Sequence, residues 1–192
     1  MICKYEGSYS SVNANDNGAL SIGKMQWHAD RAKSLLRIII SGDAASAQAI
    51  LGDALYNEIL SDASWSKRVL TADEAKKMRT LLATTQSQLA QDVQEKTDVT
   101  GYFNDIYNRG IRNAAAAVYL ADVENQSGSG GVKTILSYAK NFGNLGDLTL
   151  NEIHITTVCY AYTNRNSWLS QSDSNRKSYI TRRINAYTDA SG

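Results

Sequence analysis

Apolar residues recur every three or four positions along most of this chain, which is the spacing of one face of an α-helix. The stripe is clearest over residues 28–40 and again from Ala75 to Val93. Residues 153–162 are rich in β-branched side chains, so they are predicted as a buried helix, with a strand as the alternative. The predicted helices are 28–40, 44–51, 54–60, 72–100, 102–107, 111–126, 132–142, 153–162 and 174–187.

Polar residues at the ends of these segments support the helices. Thr71–Glu74 and Thr149–Glu152 have the capping-box spacing, in which a hydroxyl and a carboxylate each bond a backbone N–H that the first helical turn leaves unpaired. Further N-caps are predicted at Asp43, Asp53 and Asp173. Glycines are predicted to end or interrupt helices at Gly42, Gly52, Gly101 and Gly128–Gly131, and the last of these is the clearest flexible link.

Only residues 10–24 look like strand and turn. Asn17-Gly18 is a strong signal for a tight hairpin, because both residues accept a positive φ. The absence of proline agrees with a largely helical chain, since proline disrupts helix interiors. The chain is therefore predicted as a mainly α (α+β) protein, a single domain over residues 1–192 with a small β-hairpin near its start.

The bulk properties exclude several classes of protein. A net charge of +1 over 192 residues gives no electrostatic footprint for nucleic-acid binding. The sequence has no run of about eighteen apolar residues, so membrane insertion is not expected, and no signal peptide is recognisable. The two cysteines lie far apart and have no paired histidines, so no metal site is predicted.

Two carboxylates near the start of the chain, Glu6 and Asp16, carry the candidate chemistry. Such a pair can cleave a glycosidic bond without metal or cofactor, because one protonates the leaving oxygen while the other stabilises the developing cation, attacks it or activates water. Glu6 lies among Tyr5 and Tyr9, where partial burial would raise the pKa of a carboxyl as a general acid requires. Asp16 lies in a polar turn. The alternative is an exposed terminal glutamate and a turn-forming aspartate.

Residues that follow the hairpin turn are candidates for supporting roles. Ser21 can hold a nucleophilic water or orient Asp16, or it is a surface hydroxyl. Gln26 and Trp27 can line a sugar subsite, although Trp27 is equally suited to anchor the hairpin on the first long helix. His28 is predicted at the N-terminus of that helix rather than as a catalyst.

Aromatic residues add a further possibility, because eleven tyrosines and three tryptophans outnumber two phenylalanines. Such rings can stack on sugar faces while their polar tips form hydrogen bonds, but they serve equally as the rim of an ordinary core. Tyr160 is counted among the candidate substrate-binding residues, with packing as the favoured role.

A second group of polar candidates lies at the end of the predicted helix 111–126. Its inward stripe continues into Asp122 and then Asn125 or Gln126, at positions that would otherwise be apolar. Because buried polar groups need partners, these side chains either bond a neighbouring helix end or face a cleft and bind substrate hydroxyl and acetamido groups. Glu124 projects differently and is predicted to be solvated.

Two motifs resemble the lysozyme-like glycoside hydrolase domains of phage endolysins and phage tail-associated wall hydrolases. Residues 15–27 read Asn-Asp-x-Gly-x-x-Ser-x-Gly-x-x-Gln-Trp, after Glu6-Gly7-Ser8-Tyr9. Residues 122–128 give a weaker match, Asp-x-x-Asn-Gln-x-Gly. The two motifs, over residues 6–27 and 122–128, span 29 of the 192 residues.

The resemblance implies a helical lobe and a small hairpin lobe with a cleft between them. It makes Glu6 the general acid, Asp16 the base or electrostatic stabiliser and Ser21 the hydroxyl that positions water. Ser21 stands where phage-type lysozymes have threonine, and one extra residue separates the two acids.

The predicted function is hydrolysis of the peptidoglycan glycan strand, as a muramidase or glucosaminidase of phage origin, with lytic transglycosylase chemistry left open. The expected partner is bacterial peptidoglycan and the expected location is the host cell wall, reached by phage lysis or tail delivery. The domain can be part of a longer lysin with a wall-binding or second catalytic domain. The alternatives are a noncatalytic wall glycan-binding domain and a virion structural domain.

Overall fold

The structure, a computed structural model, describes residues 7–163, 169 and 172–192. These residues confirm the coarse fold prediction, since they are mainly helical and carry one three-stranded antiparallel sheet. They divide into two compact units, one over residues 7–97 and one from residue 98 onward. In the part of the chain that the structure describes, no helix is long and apolar enough to cross a membrane.

The elements follow one another simply along the chain. The first unit contains β1 (Val12–Asp16), β2 (Ala19–Ile22), β3 (Trp27–His28), α1 (Asp30–Gly42), α2 (Ala44–Leu51), α3 (Asp53–Leu60), α4 (Ala72–Leu82) and the first part of α5 (Thr85–Asn108). The second unit contains the rest of α5, then α6 (Ala114–Ala139), a 3₁₀ turn (Lys140–Phe142), α7 (Leu150–Thr163) and α8 (Asp173–Ser191).

The predicted hairpin is present, and it is extended by a third short strand. Asn17 and Gly18 form the turn with φ values of 55° and 95°, the backbone that this dipeptide was predicted to adopt. β2 is the central strand, paired antiparallel with β1 on one side and with β3 on the other. All four residues of β2 are buried, so the sheet is fixed to the core through its middle strand.

Helix α5 anchors the segments that flank the hairpin. The Gln91 amide, which is fully buried, donates to the backbone oxygen of Tyr9 at 3.1 Å and accepts from the Lys24 backbone N–H at 3.1 Å. Asp92 accepts from the Tyr9 hydroxyl at 2.7 Å and from Lys24 Nζ at 2.5 Å. The core beneath is built from Leu20, Ile22, Trp27, Leu35, Leu36, Ile39, Leu51, Ile59 and Trp65.

Three of the five predicted helix starts are confirmed. The Asp43 carboxylate accepts from the Ser46 backbone N–H, which caps α2. Both capping boxes form. The Thr71 and Thr149 hydroxyls each accept from the backbone N–H three residues later, and the carboxylates of Glu74 and Glu152 accept from the backbone N–H of Thr71 and Thr149.

Two predicted N-caps are wrong by one residue. Gly52 is the N-cap of α3, and the Asp53 carboxylate instead accepts from the Gln48 side chain at 2.8 Å. The last helix is capped by Ser172, whose hydroxyl accepts from the backbone N–H of Asn175. In both cases the predicted aspartate is the first helical residue, where its negative charge interacts favourably with the positive end of the helix dipole.

The long predicted helices break at places other than those predicted. The chain leaves the helix at Ala83 and Thr84, and the Thr84 hydroxyl accepts from the Ser87 backbone N–H at 3.2 Å, as an N-cap does. Gly101 lies within α5 and does not interrupt it. At Gly128 the prediction of a stop is partly correct, because φ of 68° kinks α6 there, but the helix resumes at once and no four-residue link exists.

Candidate functional site

The hairpin brings Asp16, Ser21 and His28 together. The Ser21 hydroxyl donates to Asp16 Oδ2 at 2.5 Å, and Ser21 Oγ lies 3.1 Å from His28 Nδ1. His28 Nδ1 and Asp16 Oδ2 are 3.9 Å apart. Three side chains from three adjacent strands therefore form one hydrogen-bonded group, here termed the hairpin cluster.

The register of the sheet explains this arrangement. Ser21 pairs directly with His28 across β2 and β3, and with Asn13 across β1 and β2. Because side chains alternate along a strand, three regular residues after Asn13 would turn Asp16 to the opposite face. The register of β1 shifts between Asn13 and Asp16, and such an irregularity returns the carboxylate to the face that carries Ser21.

The three members of the hairpin cluster differ in accessibility. The Asp16 and His28 side chains are each 46% exposed, whereas Ser21 is fully buried. A carboxylate and an imidazole therefore face solvent side by side, and a buried hydroxyl links them from below. This arrangement can orient a carboxylate next to a ligand without a metal ion.

The backbone on both sides of β3 is strained. Gln26 and Ala29 have φ values of 50° and 54°, which residues other than glycine rarely adopt. The Ala29 N–H donates to the Leu20 oxygen at 2.9 Å, so a sheet contact holds this unfavourable backbone. Backbone outliers of this kind cost about 1–3 kcal/mol each and cluster at functional sites. Their position here points to β3 as a functional element.

His28 is the residue whose role the sequence interpretation missed. It was predicted at a helix N-terminus, but α1 begins at Asp30 and His28 ends a two-residue strand. Trp27, on the same strand, is buried to 1% exposure, and its ring lies where a Cβ on Gly23 would be only 2.9 Å away. Of its two candidate roles, the structure favours the core anchor.

The remaining candidates of the first unit are Gln26 and Glu6. The Gln26 side-chain amide donates to the backbone oxygen of Gly23 at 2.9 Å, so it stabilises its own turn. Glu6 lies outside the described residues. The following residue, Gly7, donates its N–H to the Lys24 oxygen at 3.1 Å.

In the second unit, Asp122 is buried and paired with arginines. Its carboxylate accepts from Arg182 NH2 at 2.7 Å and from Arg182 Nε at 3.2 Å, and it also accepts from Arg183. Asp122 and Arg183 are fully buried. Of the two roles that the sequence left open for Asp122, this geometry favours a bond to a neighbouring helix over contact with a substrate.

The other polar residues near the Gly128 kink are also inside the unit. Asn125 Oδ1 accepts from the Tyr102 hydroxyl at 3.0 Å, while Gln126 Oε1 is buried and has no hydrogen-bond partner among the described residues. The prediction that Glu124 is solvated is wrong, because every residue from Tyr119 to Glu124 is buried. Around this part of α6 no face of the helix meets water.

Glu124 has unusual electrostatics as a result. Its Oε2 atom has no hydrogen-bond partner in the described part of the chain. Burial, together with the neighbouring charge of Asp105, raises the pKa of the Glu124 carboxyl to about 7, although Arg109 opposes the shift. Arg109 is itself held by Asp105 at 2.8 Å and by the Ser129 hydroxyl at 2.7 Å, so it does not neutralise Glu124.

Tyr160 lies at a surface cavity of the second unit. Its ring is 4% exposed and packs 6.4 Å from the ring of Tyr179. The cavity has a volume of about 290 Å³, and none of the described residues in its lining is charged. It is lined by Tyr138, Asn141, Phe142, Ile155, Thr156, Cys159 and Tyr160.

Comparison with known proteins adds no identity to this picture. No family model, no curated protein and no solved structure matches the chain. Across the described ranges, no group of three or more histidine, cysteine, aspartate or glutamate side chains is arranged to hold a metal ion. The candidate site therefore rests on its own residues, above all on the hairpin cluster.

Proposed function

We propose that this chain is a lysozyme-like hydrolase of the peptidoglycan glycan strand, a muramidase or glucosaminidase of phage origin that acts on the host cell wall. Glu6 is its general acid, and Asp16 is its base or electrostatic stabiliser. The observation that supports this most is the Asp16 carboxylate itself, half exposed at the hairpin and held at 2.5 Å by the buried Ser21 hydroxyl.

The hairpin cluster suits Asp16 for that task. A carboxylate that stabilises a developing cation or activates water must keep its orientation while the sugar ring changes shape. The hydrogen bond from Ser21 fixes the Oδ2 atom of Asp16. Because Ser21 is buried and donates its hydroxyl hydrogen to Asp16, its role in this proposal is to orient Asp16 rather than to position water.

The decisive test compares Glu6→Gln and Asp16→Asn with the wild type in clearing a suspension of purified cell walls. Loss of a general acid lowers the rate by about 10²–10⁴-fold, so Glu6→Gln is expected to clear at that reduced rate with an unchanged circular dichroism spectrum. Asp62→Asn, at a fully exposed aspartate, serves as the matched control and keeps full activity. Failure of the wild type to clear walls from any host tested would contradict the proposal.

The products identify the bond. Mass spectrometry of walls digested and then reduced with borohydride shows reduced muramic ends for a muramidase and reduced glucosamine ends for a glucosaminidase. Anhydro ends would indicate that the enzyme is a lytic transglycosylase rather than a hydrolase, a reaction that uses Glu6 but does not require Asp16.

The aromatic cavity at Tyr160, in which no described lining residue is charged, favours a second candidate, noncatalytic binding of wall glycans. Exposed rings can pack against the apolar faces of sugars, and the side-chain amide of Asn141 can bond their hydroxyls. In that case Phe142→Ala, at a ring 53% exposed, lowers retention on insoluble walls, while Glu6→Gln leaves retention unchanged and no reaction is found.

A further inference from the structure

We propose that His28 is the positioning residue of the hairpin cluster: its Nδ1–H donates to Ser21 Oγ and thereby commits the single hydroxyl proton of Ser21 to Asp16. The effect on catalysis rests on the proposed function. The direction of the hydrogen bonds does not depend on the proposed function, because it follows from the geometry alone.

Counting protons decides the direction of each bond. A serine hydroxyl has one hydrogen to donate, and a carboxylate can only accept. The bond between Ser21 Oγ and Asp16 Oδ2, at 2.5 Å, therefore uses the Ser21 proton. His28 Nδ1 lies 3.1 Å from the same oxygen, which now has only lone pairs left to offer. His28 must be the donor in this contact, with its hydrogen on Nδ1.

This assignment fixes the tautomer of neutral His28. Free histidine in water carries its hydrogen mainly on Nε2, so the hairpin cluster selects the less common form. Neutral His28 then has an unprotonated Nε2, an acceptor on a side chain that is 46% exposed. The chain of donors runs from His28 through Ser21 to Asp16, as second-sphere groups orient the residues that contact a ligand.

The fold holds His28 in this role by means that core packing does not explain. The side chain is too exposed to contribute a core anchor, unlike its neighbour Trp27. Its strand is two residues long and lies between the strained residues Gln26 and Ala29. Direct pairing of His28 with Ser21 across the sheet fixes the spacing of their side chains.

The first test is spectroscopic and needs no activity. The sequence contains two histidines, so ¹⁵N-labelled imidazole spectra of the wild type and of His154→Gln assign the signals of His28 directly. Neutral His28 is expected in the Nδ1–H form, and Ser21→Ala is expected to return it to predominantly Nε2–H. A wild-type His28 with its hydrogen on Nε2, or one that does not respond to Ser21→Ala, would overturn the assignment.

The second test separates donation from other roles of the ring. The amide nitrogen of asparagine can occupy the place of Nδ1, whereas that of glutamine reaches the place of Nε2. His28→Asn is therefore expected to keep wall-clearing activity within a few-fold. His28→Gln and His28→Ala are expected to lower kcat by up to about 100-fold with little change in KM, the effect of a misplaced catalytic group.

Equal loss in His28→Asn and His28→Ala would overturn the positioning role. Circular dichroism and urea unfolding of each variant confirm that the comparison is between folded proteins. If the wild type does not cleave peptidoglycan, the proposed function fails, and the tautomer experiment alone still supports or overturns the direction of the hydrogen bonds.

Discussion

One glutamate in each unit, Glu74 in the first and Glu124 in the second, shows the opposite electrostatic behaviour. In the first unit, Glu74 accepts from Arg68 at 2.5 Å and from the Thr71 backbone N–H at 2.7 Å, and the bond from Arg68 lowers the pKa of its carboxyl to about 2. In the second unit, Glu124 is buried with an oxygen that has no partner among the described residues, and burial raises its pKa to about 7. Partners favour the charged form, whereas burial without partners disfavours it.

Most of the buried polar atoms that have no partner among the described residues lie in the second unit, whereas the first unit has one, Trp65 Nε1. The hairpin cluster of the first unit lies at the surface with each member bonded to another. The interior of the second unit carries buried polar atoms without hydrogen-bond partners among the described residues, namely Arg183 Nε and NH1, Tyr179 OH, Glu124 Oε2 and Gln126 Oε1. Such atoms cost stability, so we expect the second unit to respond more strongly to single substitutions of its charges.

Asp122→Asn is expected to have the largest effect on stability. It removes the charge that compensates Arg182 and Arg183, of which the second is fully buried. Breaking a buried ion pair on one side costs about 3–5 kcal/mol, because the remaining charge stays buried without compensation. Urea unfolding followed by circular dichroism measures the loss.

Asp173→Asn is the matched control for this measurement. It makes the same chemical change in an ion pair whose aspartate side chain is 93% exposed, so its expected cost is at most about 1 kcal/mol. Similar losses for the two variants would show that Asp122, Arg182 and Arg183 do not form a buried charge network.

Glu124→Gln is expected to stabilise the protein at about pH 8. Between the ordinary value of 4.5 and about 7, the native state binds more protons at Glu124 than the unfolded state does. Wild-type stability therefore falls as the pH rises through this window and stays lower above it. Glutamine avoids the penalty, with a gain of about 1–3 kcal/mol at the higher pH that shrinks towards pH 4.5.

Glu74→Gln is expected to change the free energy of unfolding in the opposite direction in the same assay. Its native pKa of about 2 lies below the ordinary 4.5, so its contribution is present above 4.5 and is lost as the pH falls towards 2. The variant is expected to be less stable than the wild type at neutral pH and to approach it in acid. The same pH response in both glutamine variants would contradict the contrast between the units.

Ala29→Gly is expected to give the smallest change, a gain of about 1 kcal/mol. Glycine adopts a φ of 54° without steric cost, and the relief exceeds the entropy that glycine loses on folding. Thermal unfolding detects the shift. Ala49→Gly, at an exposed position of α2, is the control and should lower stability by a similar amount. A loss of stability in Ala29→Gly would mean that the backbone there is not strained.

Local signals in the sequence predicted much of the fold. The capping boxes at Thr71 and Thr149 and the Asn17-Gly18 turn depend on residues within a few positions of each other, so their outcome was readable. The break between α4 and α5 carries neither glycine nor proline. Its only local signal was the threonine at position 84, a residue type that favours N-caps as well as strands.

The site was harder to predict because its members meet through tertiary structure. Asp16 and Ser21 could be linked by the hairpin turn between them, and the structure does join them. His28 could not be linked in this way, since a two-residue strand has no periodicity and its flanking positive φ values occur at glutamine and alanine. The arginine partners of Asp122 lie 60 and 61 residues away, beyond any local pattern.

The glycine-rich run 128–131 looks uniform in sequence but places a different demand on each of its three glycines. Gly128 is required by its backbone angle, and Gly131 by space, because an added Cβ would lie 2.6 Å from Ser127 Cβ. Around Gly130 no described residue, apart from its chain neighbours and the backbone of its own helical turn, has an atom within 4 Å of such a Cβ. Over evolutionary time, substitutions should therefore accumulate at position 130, while Gly128 and Gly131 remain under purifying selection.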